Sequence, residues 1–222
     1  MNTQLQDPFS FRDLFKVEQI YSFVTALSLL GVSYILEHFA NAYEIEYSLR
    51  PTSTHVGDIL LDNIPVINLN FLIIEGALFS LVFVTLFIIF RRPRYLLFTL
   101  KTLALFIAVR AVFISLTHVG IYPDAVGPSL GFFDGIYFYL NLQTGFFFSG
   151  HTGMPFLIAL IFWKDFPIRV VLLSLSFIFA VAVLFAHIHY SIDVFAAPFM
   201  AYGIFKMAQH FFPRDYKLTL SH

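Results

Sequence analysis

The chain has 222 residues, of which 59% are hydrophobic and 12% are charged, and its net charge is -1. Ordinary soluble domains carry about a quarter charged residues, so this composition predicts a polytopic membrane protein. The small net charge argues against nucleic acid as a partner, and the absence of cysteine excludes disulfides, thiolate zinc sites and iron–sulfur clusters.

Six apolar runs predict an all-α fold with about six transmembrane helices, at about 20 residues per crossing. They cover residues 20–36, 71–90, 97–117, a run that ends at Trp163, 168–186, and a run from about 192 towards 211. We therefore expect one transmembrane domain, residues 20–212, between a cytoplasmic segment, 1–19, and a cytoplasmic tail, 213–222. The N-terminus lacks the pattern of a cleaved signal peptide, so the first helix is expected to act as the insertion signal.

The distribution of Lys and Arg predicts the orientation, because short cytoplasmic loops hold an excess of these residues. Three groups of cations mark the expected cytoplasmic side: Arg91, Arg92 and Arg94; Lys164 and Arg169; Lys206, Arg214 and Lys217. Residues 111–163 contain neither Lys nor Arg, and residues 40–69 have one Arg against four acidic residues. Those two segments are expected on the exoplasmic side.

Two polar clusters fall at the same predicted face of the membrane. The stretch FFFSGHTGMPF, residues 146–156, contains His151, and after one crossing inward and one outward the chain reaches His187 and His189. Ionisable residues at membrane depth are costly and indicate function by default. We therefore expect both clusters to contribute to one site.

The second cluster, AHIHYSIDV, has the spacing of an oriented histidine. His189 and Asp193 are four residues apart, which on a helix places them on one face. The Asp193 carboxylate can accept the Nδ1 proton of the imidazole and leave Nε2 as a nucleophile or base. The alternative is that Asp193 only stabilises the start of the last helix through the helix dipole.

The first cluster has the features of an anion-binding helix N-terminus. Ser149 can cap the helix and Gly150 permits close approach, so that backbone N–H groups face an anion. His151 would lie beside the bound group. Together the two clusters indicate phosphoryl transfer.

Other chemistries fit the sequence less well. A di-iron site needs several histidine boxes, and only one close histidine pair exists. A serine protease would use Ser149 with His187 or His189, but such families place Gly two residues before the serine, where this chain has Phe147. A metal site lacks the H-E-x-x-H pairing, although four residues have suitable ligand types: His151, His187, His189 and Asp193.

Two sequence blocks resemble the signature motifs of a known family. SGHT, residues 149–152, and HYSIDV, residues 189–194, resemble those of the sphingomyelin synthase-like branch of the type 2 phosphatidic acid phosphatase superfamily. GDILLDNIP, residues 57–65, and the stretch 91–117 with Arg110 resemble two weaker upstream blocks. The resemblance covers about residues 56–205.

The resemblance implies a six-helix bundle with an exoplasmic active site and no cofactor. By position, His189 would attack phosphorus to form a phosphohistidine, Asp193 would orient it, and His151 would protonate the leaving group. Enzymes of the branch move a phospho-head-group between a glycerophospholipid and ceramide or diacylglycerol. The wider superfamily mostly hydrolyses lipid phosphates, and a non-catalytic lipid-binding relative is a third alternative.

The chain also departs from the family pattern. Phosphatases of the wider superfamily carry an Arg where this sequence has Ala182 or Val183, so the phosphate must be neutralised by other groups. The candidates are Arg110, His187 and the backbone amides near Gly150. The alternative for Arg110 is a buried ion pair with Glu75.

Some residues near the motifs are interpreted as structural. The start of the fourth helix would be shaped by Thr152, Gly153 and Pro155, the proline being tolerable only in a first turn. An aromatic belt at the membrane interface is expected at Tyr137, Phe138 and Tyr139.

Overall fold

The computed structural model describes residues 13, 14, 16–48, 50, 52–127 and 146–220. Every regular element in these ranges is helical, which confirms the predicted all-α fold. Two 3₁₀ turns, Leu61–Asn63 and Pro93–Tyr95, accompany the helices α1 Val17–Ser48, α2 Asn70–Arg91, α3 Leu96–Leu116, α4 Gly150–Ile161, α5 Phe166–Phe185, α6 Ser191–Phe211 and α7 Pro213–Leu220. Residues 1–12, most of the predicted N-terminal segment, and the aromatic belt at 137–139 lie outside the described residues.

Four described segments are long and apolar enough to cross a membrane: Val17–Ser48, Asn70–Arg91, Pro93–Leu116 and Phe166–Phe185. Helix α4 has 12 residues, which at 1.5 Å per residue is shorter than a hydrocarbon core of about 30 Å. Helix α6 has 21 residues but is more polar. The predicted count of six crossings therefore stays a prediction.

The outer surface of the bundle is rich in large apolar side chains. Phenylalanines on α2 and α6 are 73% to 79% exposed, namely Phe71, Phe79, Phe90 and Phe199. Contact of these rings with water would be unfavourable, whereas lipid tails match them. This surface and the four apolar helices indicate an integral membrane protein.

Helix α1 is longer than the sequence predicted. Its apolar run ends before Glu37, but the helix continues to Ser48. Three polar residues of this extension, Glu37, Asn41 and Glu44, are buried, and their spacing of four and three residues places them on one stripe of the helix. This stripe packs against α3, where Arg110 is the ionic partner of Glu37. The predicted end at residue 36 was wrong because buried pairing makes these polar residues compatible with a helix.

Helix α4 lies at the centre of the described bundle, in contact with α3, α5 and α6. A β-carbon at Gly153 would come within 3.1 Å of the Phe106 ring of α3, so a glycine permits this close packing. Pro155 is the sixth residue of α4, in its second turn and not in the first turn as predicted. Proline has no N–H to donate to the carbonyl four residues earlier, which here belongs to His151.

The two ends of the bundle differ in charge. At one end Arg92 Nη2 lies 2.8 Å from Asp165 Oδ2 and so joins the α2–α3 and α4–α5 links. The predicted tail forms α7 there, and Asp215 accepts hydrogen bonds from Lys101 Nζ at 2.6 Å and Ser22 Oγ at 2.7 Å. The motif residues lie at the opposite end.

Residues 52–69 and 117–127 form a cap over that opposite end. The Gly120 amide donates to the Thr54 carbonyl at 3.0 Å, and the Val126 amide donates to the Ala186 carbonyl at 2.9 Å. The Ile67 amide also donates to the Phe185 carbonyl at 2.7 Å. Through these bonds the cap is attached to the end of α5.

Because the chain has no cysteine, single cysteines can test which end faces which side of the membrane. We expect Thr52→Cys, in the cap, and Lys164→Cys, in the α4–α5 link, to react with an impermeant maleimide from opposite sides of sealed vesicles. The positive-inside rule predicts that the Lys164 position faces the cytoplasm. Labelling of both positions from the same side would contradict this arrangement, and the cysteine-free chain is the background control.

Candidate active site

His189 and Asp193 are in contact, as their spacing predicted. His189 Nδ1 lies 3.2 Å from Asp193 Oδ2, and both side chains are buried. His189 nevertheless precedes α6, which begins at Ser191, so the pair does not lie on one helix face. The extended Tyr190 between them turns the imidazole back towards the first turn of the helix.

The Asp193 carboxylate also organises the backbone around it. Oδ2 accepts a hydrogen bond from the Tyr190 amide, and Oδ1 accepts one from the Phe147 amide, both at 3.2 Å. The Asp193 carbonyl accepts a third, from the Ser149 amide, at 3.0 Å. Asp193 therefore contacts His189 and also bonds to the backbone at the start of α6.

Phe147 leads into α4 in a conformation that few residues adopt. Its φ is 103°, a sparsely populated region that persists only when the surroundings hold it. Its amide bond to Asp193 and its ring, stacked on Phe113 at 4.7 Å, supply that constraint. The strained segment brings Ser149 to the beginning of α4.

Ser149 caps α4, as predicted. It is the N-cap residue, its Oγ accepts a hydrogen bond from the Thr152 amide at 3.4 Å, and it is fully buried. This environment suits a structural cap better than a serine nucleophile. The first amides of α4 begin at Gly150, immediately beside the cap.

Arg110 lies against this helix N-terminus. A β-carbon at Gly150 would be 3.5 Å from Arg110 Nε, so the absence of a side chain lets the guanidinium approach the backbone. Arg110 Nη1 lies 2.6 Å from Glu37 Oε1 of α1, in a buried ion pair. The predicted alternative partner, Glu75, was therefore wrong, because the carboxylate comes from the polar stripe of α1.

His151 stands between the nucleophile candidate and this cation. Its ring centroid is 6.2 Å from that of His189, with the ring planes at 66°. His151 directly follows Gly150, the glycine against which the Arg110 guanidinium lies. The structure thus brings together His151, His189, Asp193, Ser149, Gly150 and Arg110.

His187 lies on the cap side of this group. It follows the end of α5 with a φ of 56° and is 4% exposed. Its ring packs edge-on against Tyr122 of the cap, with centroids 5.2 Å apart. Its described contacts are thus with the cap and not with the Gly150 end of α4.

Asp58, a residue of the cap beside the candidate site, was not identified from the sequence. Its Oδ2 accepts the Ser191 amide at 2.6 Å, and its Oδ1 accepts the amides of Leu60 and Leu61. Burial opposes its ionisation, but these backbone donors outweigh burial and hold the pKa of Asp58 below its usual value. Asp58 thereby fastens the cap to the first residue of α6. The GDILLDNIP block, residues 57–65, is the sequence signal that contains Asp58.

Tyr122 and Tyr190 complete the junction between cap and site. Tyr122 Oη donates to Asp62, and this hydrogen bond, followed by burial, raises the pKa of Tyr122 to about 12. Tyr190 Oη donates to the Gly120 carbonyl at 2.8 Å. No sequence motif marked Tyr122, because its role depends on a contact between two loops.

Two observations concern the residues that could neutralise a bound phosphate and those that could bind a metal ion. Ala182 and Val183, the positions at which the resemblance led us to look for an Arg, are buried in an apolar cluster with Ile73 and Val194. Among the described residues, no group of three or more His, Asp or Glu side chains is arranged to hold a metal ion.

The family model of the PAP2 superfamily C-terminal domain matches residues 144–211. This range includes α4, α5 and α6 and the contacts from Ser149 to Asp193. The match supports the PAP2 superfamily. Members of that superfamily are phosphatases and phosphotransferases, so the match also supports an enzyme. The matched PAP2 range is less than half of the chain. A comparison of the chain with curated proteins found no match.

The Asp58 carboxylate at the cap junction should make a pH-dependent contribution to the free energy of unfolding. Asp58→Asn should reduce the free energy of unfolding at pH 7 by about 1.5–3 kcal/mol, because it replaces a charged acceptor of buried amides. A depressed folded-state pKa stabilises the protein above the unfolded value of about 3.9, and this contribution disappears as the pH falls through the folded value. The difference between wild type and variant should thus shrink towards pH 3, which denaturant unfolding in detergent at both pH values would measure.

The matched control for this prediction is Asp124→Asn. Asp124 is exposed and has a φ of 63°, a conformation that asparagine tolerates. Its effect should stay within about 0.5 kcal/mol. An equal loss in both variants, or a difference that persists unchanged at pH 3, would contradict the role of the Asp58 carboxylate.

Proposed function

We propose that this protein is an integral-membrane lipid phosphotransferase that works through a phosphohistidine on His189. The observation that carries the proposal is the contact of His189 Nδ1 with Asp193 beside His151, at the capped N-terminus of α4. An oriented imidazole, a second imidazole and an anion-binding helix end are the components of phosphoryl transfer. The PAP2 superfamily match is consistent with this chemistry.

In the first step the Nε2 lone pair of His189 attacks the phosphorus of a lipid phosphoester. The bond between phosphorus and the leaving oxygen breaks, and His151 gives that oxygen a proton. Asp193 accepts the Nδ1 proton in a hydrogen bond and stabilises the positive charge that develops on the ring. The phosphoryl oxygens face the first amides of α4 and the Arg110 guanidinium, which offset their charge.

In the second step an alcohol or water attacks the phosphohistidine. His151 takes the proton of the incoming hydroxyl, the phosphorus–nitrogen bond breaks, and His189 regains its lone pair. With a lipid alcohol such as ceramide or diacylglycerol the net reaction is transfer of a phospho-head-group from a phospholipid. With water it is hydrolysis of a phosphatidic acid-like substrate, which is the alternative function.

We propose that the site faces the exoplasmic side of the membrane. Support comes from the separation of the two ends of the bundle, because the motif residues and the cap lie opposite the arginine-containing links. By the positive-inside rule those links belong in the cytoplasm. Lipids of the outer or lumenal leaflet would then be the substrates.

The function can be tested by mass spectrometry of lipids after incubation of the purified protein in liposomes. The liposomes should hold phosphatidylcholine, phosphatidylethanolamine, phosphatidic acid, ceramide and diacylglycerol. We expect a new head-group-bearing lipid whose formation falls about 10³-fold or more in His189→Ala and about 10²- to 10⁴-fold in Asp193→Asn. Loss of phosphatidic acid with release of phosphate, also dependent on His189, would instead establish the phosphatase.

A second measurement separates an enzyme from a non-catalytic lipid-binding protein. Vanadate resembles phosphate and should raise the melting temperature of wild type by binding the native state. His189→Ala should remove this protection. A protein with neither lipid turnover nor a vanadate shift would rule out the phosphohistidine proposal, and labelling of Ser149 by a fluorophosphonate would favour the protease alternative.

The role of Arg110 can be separated from that of its ion pair with Glu37. Arg110→Gln alone should cost about 3–5 kcal/mol of stability, because it leaves a buried carboxylate unpaired. The double variant Arg110→Gln/Glu37→Gln should recover most of that stability, since a neutral pair of similar volume replaces a buried ion pair. If Arg110 binds phosphate, the stable double variant should still bind vanadate about tenfold more weakly than wild type.

Thermal unfolding and vanadate titration of the three proteins measure both quantities. Recovery of stability together with full vanadate affinity would show that Arg110 is only a structural partner of Glu37. Glu44→Gln is the matched control, because Glu44 is buried on the same stripe of α1 and has no direct ion pair with Arg110 in the described structure.

A further inference from the structure

His187 has a backbone conformation that its residue type disfavours. It follows Ala186, the C-cap of α5, and its φ of 56° is in the left-handed region. Glycine is the usual residue at this position after a helix, because a β-carbon is strained there. Strain of this kind at a motif points to a function for the side chain.

The imidazole of His187 also has unusual surroundings. It is 4% exposed, and neither Nδ1 nor Nε2 has a hydrogen-bond partner among the described residues. Two buried side chains close to it in the chain or in the cap are bonded: His189 to Asp193, and Asp58 to the Ser191 amide. Buried polar groups in proteins are nearly always hydrogen-bonded, so an exception calls for a specific explanation.

The location of His187 relates it to the substrate of the proposed reaction. It is two residues before His189, and its ring packs on Tyr122 beneath the cap. Arg110 and the α4 amides, which we assign to the phosphate, are grouped instead around Gly150. A ligand of His187 would therefore extend from the reacting phosphorus towards the cap.

We propose that His187 binds a hydroxyl group of the lipid substrate, as a specificity-determining residue of the proposed phosphotransferase. A neutral imidazole offers one N–H donor and one lone pair, and a hydroxyl offers the complementary acceptor and donor. A phosphate oxygen would use only the donor. This assignment depends on the proposed function and replaces the expectation that His187 binds phosphate.

The hydroxyl can belong to the acceptor alcohol or to the head group of the donor lipid. Binding of short-chain lipids distinguishes these sources without any turnover. Dioctanoylglycerol represents the acceptor, its methyl ether lacks the hydroxyl, and dihexanoyl phosphatidylglycerol represents a hydroxylated head group.

The decisive variant is His187→Gly, because glycine relieves the left-handed strain and removes only the imidazole. We expect its melting temperature to equal or exceed that of wild type. We also expect it to bind at least one of the two hydroxyl lipids about tenfold more weakly, the loss of one hydrogen bond. His187→Asn, which tolerates the same backbone and carries both a donor and an acceptor, should restore part of the affinity.

Loss of dioctanoylglycerol binding alone would assign the hydroxyl to the acceptor, and loss of phosphatidylglycerol binding alone would assign it to the head group. In the acceptor case wild type should also discriminate against the methyl ether. Unchanged binding of both lipids in His187→Gly would overturn the proposal. A tenfold loss of vanadate affinity, with hydroxyl lipids unaffected, would overturn it in favour of a phosphate ligand.

Failure of the proposed function has a different signature. It would appear as the absence of lipid turnover and of vanadate protection in wild type. The binding comparison of wild type with His187→Gly gives its result in either case.

Discussion

The geometry of the candidate site depends on one carboxylate, that of Asp193. Its Oδ2 is hydrogen-bonded to His189 Nδ1 and to the Tyr190 amide. Its Oδ1 accepts a hydrogen bond from the Phe147 amide, 46 residues earlier in the chain. A single buried anion thus fixes the orientation of the imidazole, the beginning of α6 and the approach to α4. The Ser149 amide, bonded to the Asp193 backbone carbonyl, adds a second link between the segments that carry His151 and His189.

A second layer of contacts holds this arrangement in place. The cap is fastened to α6 by Asp58 and to the Tyr190 hydroxyl by the Gly120 carbonyl. On the other side α1 supplies Glu37, which holds Arg110 beside Gly150. The family match covers only residues 144–211, but the groups that fix its geometry come from the preceding half of the chain. The part of the chain before residue 144 therefore contributes contacts to the candidate site.

Local patterns in the sequence were enough to predict much of this. Hydrophobic runs located the helices, and the SGHT and HYSIDV blocks identified the cap of α4 and the contact of His189 with Asp193. Errors arose where a long-range contact changed the local rule. Glu37 looked like the end of a helix because its partner, Arg110, is 73 residues away. Pro155 was placed in a first turn, whereas the central position of α4 accommodates it in the second.

The cap was the least predictable part for the same reason. Asp58 and Tyr122 lie in loops with no periodic pattern, and their roles depend on which loops meet. A single sequence does not show which loops come into contact. The left-handed backbone of His187 was likewise invisible, because it follows from the way α5 ends against the cap and not from the AHIH stretch itself.

The pairing of Glu37 with Arg110 has a consequence for biogenesis. Helix α1 reaches the membrane with the carboxylate of Glu37, and its cationic partner, Arg110, is synthesised 73 residues later. At about 5–20 residues per second, translation leaves α1 without that partner for about 4–15 seconds. During this interval the helix must stay close to the translocon or to water. Transfer of α1 into the lipid therefore follows the synthesis of α3.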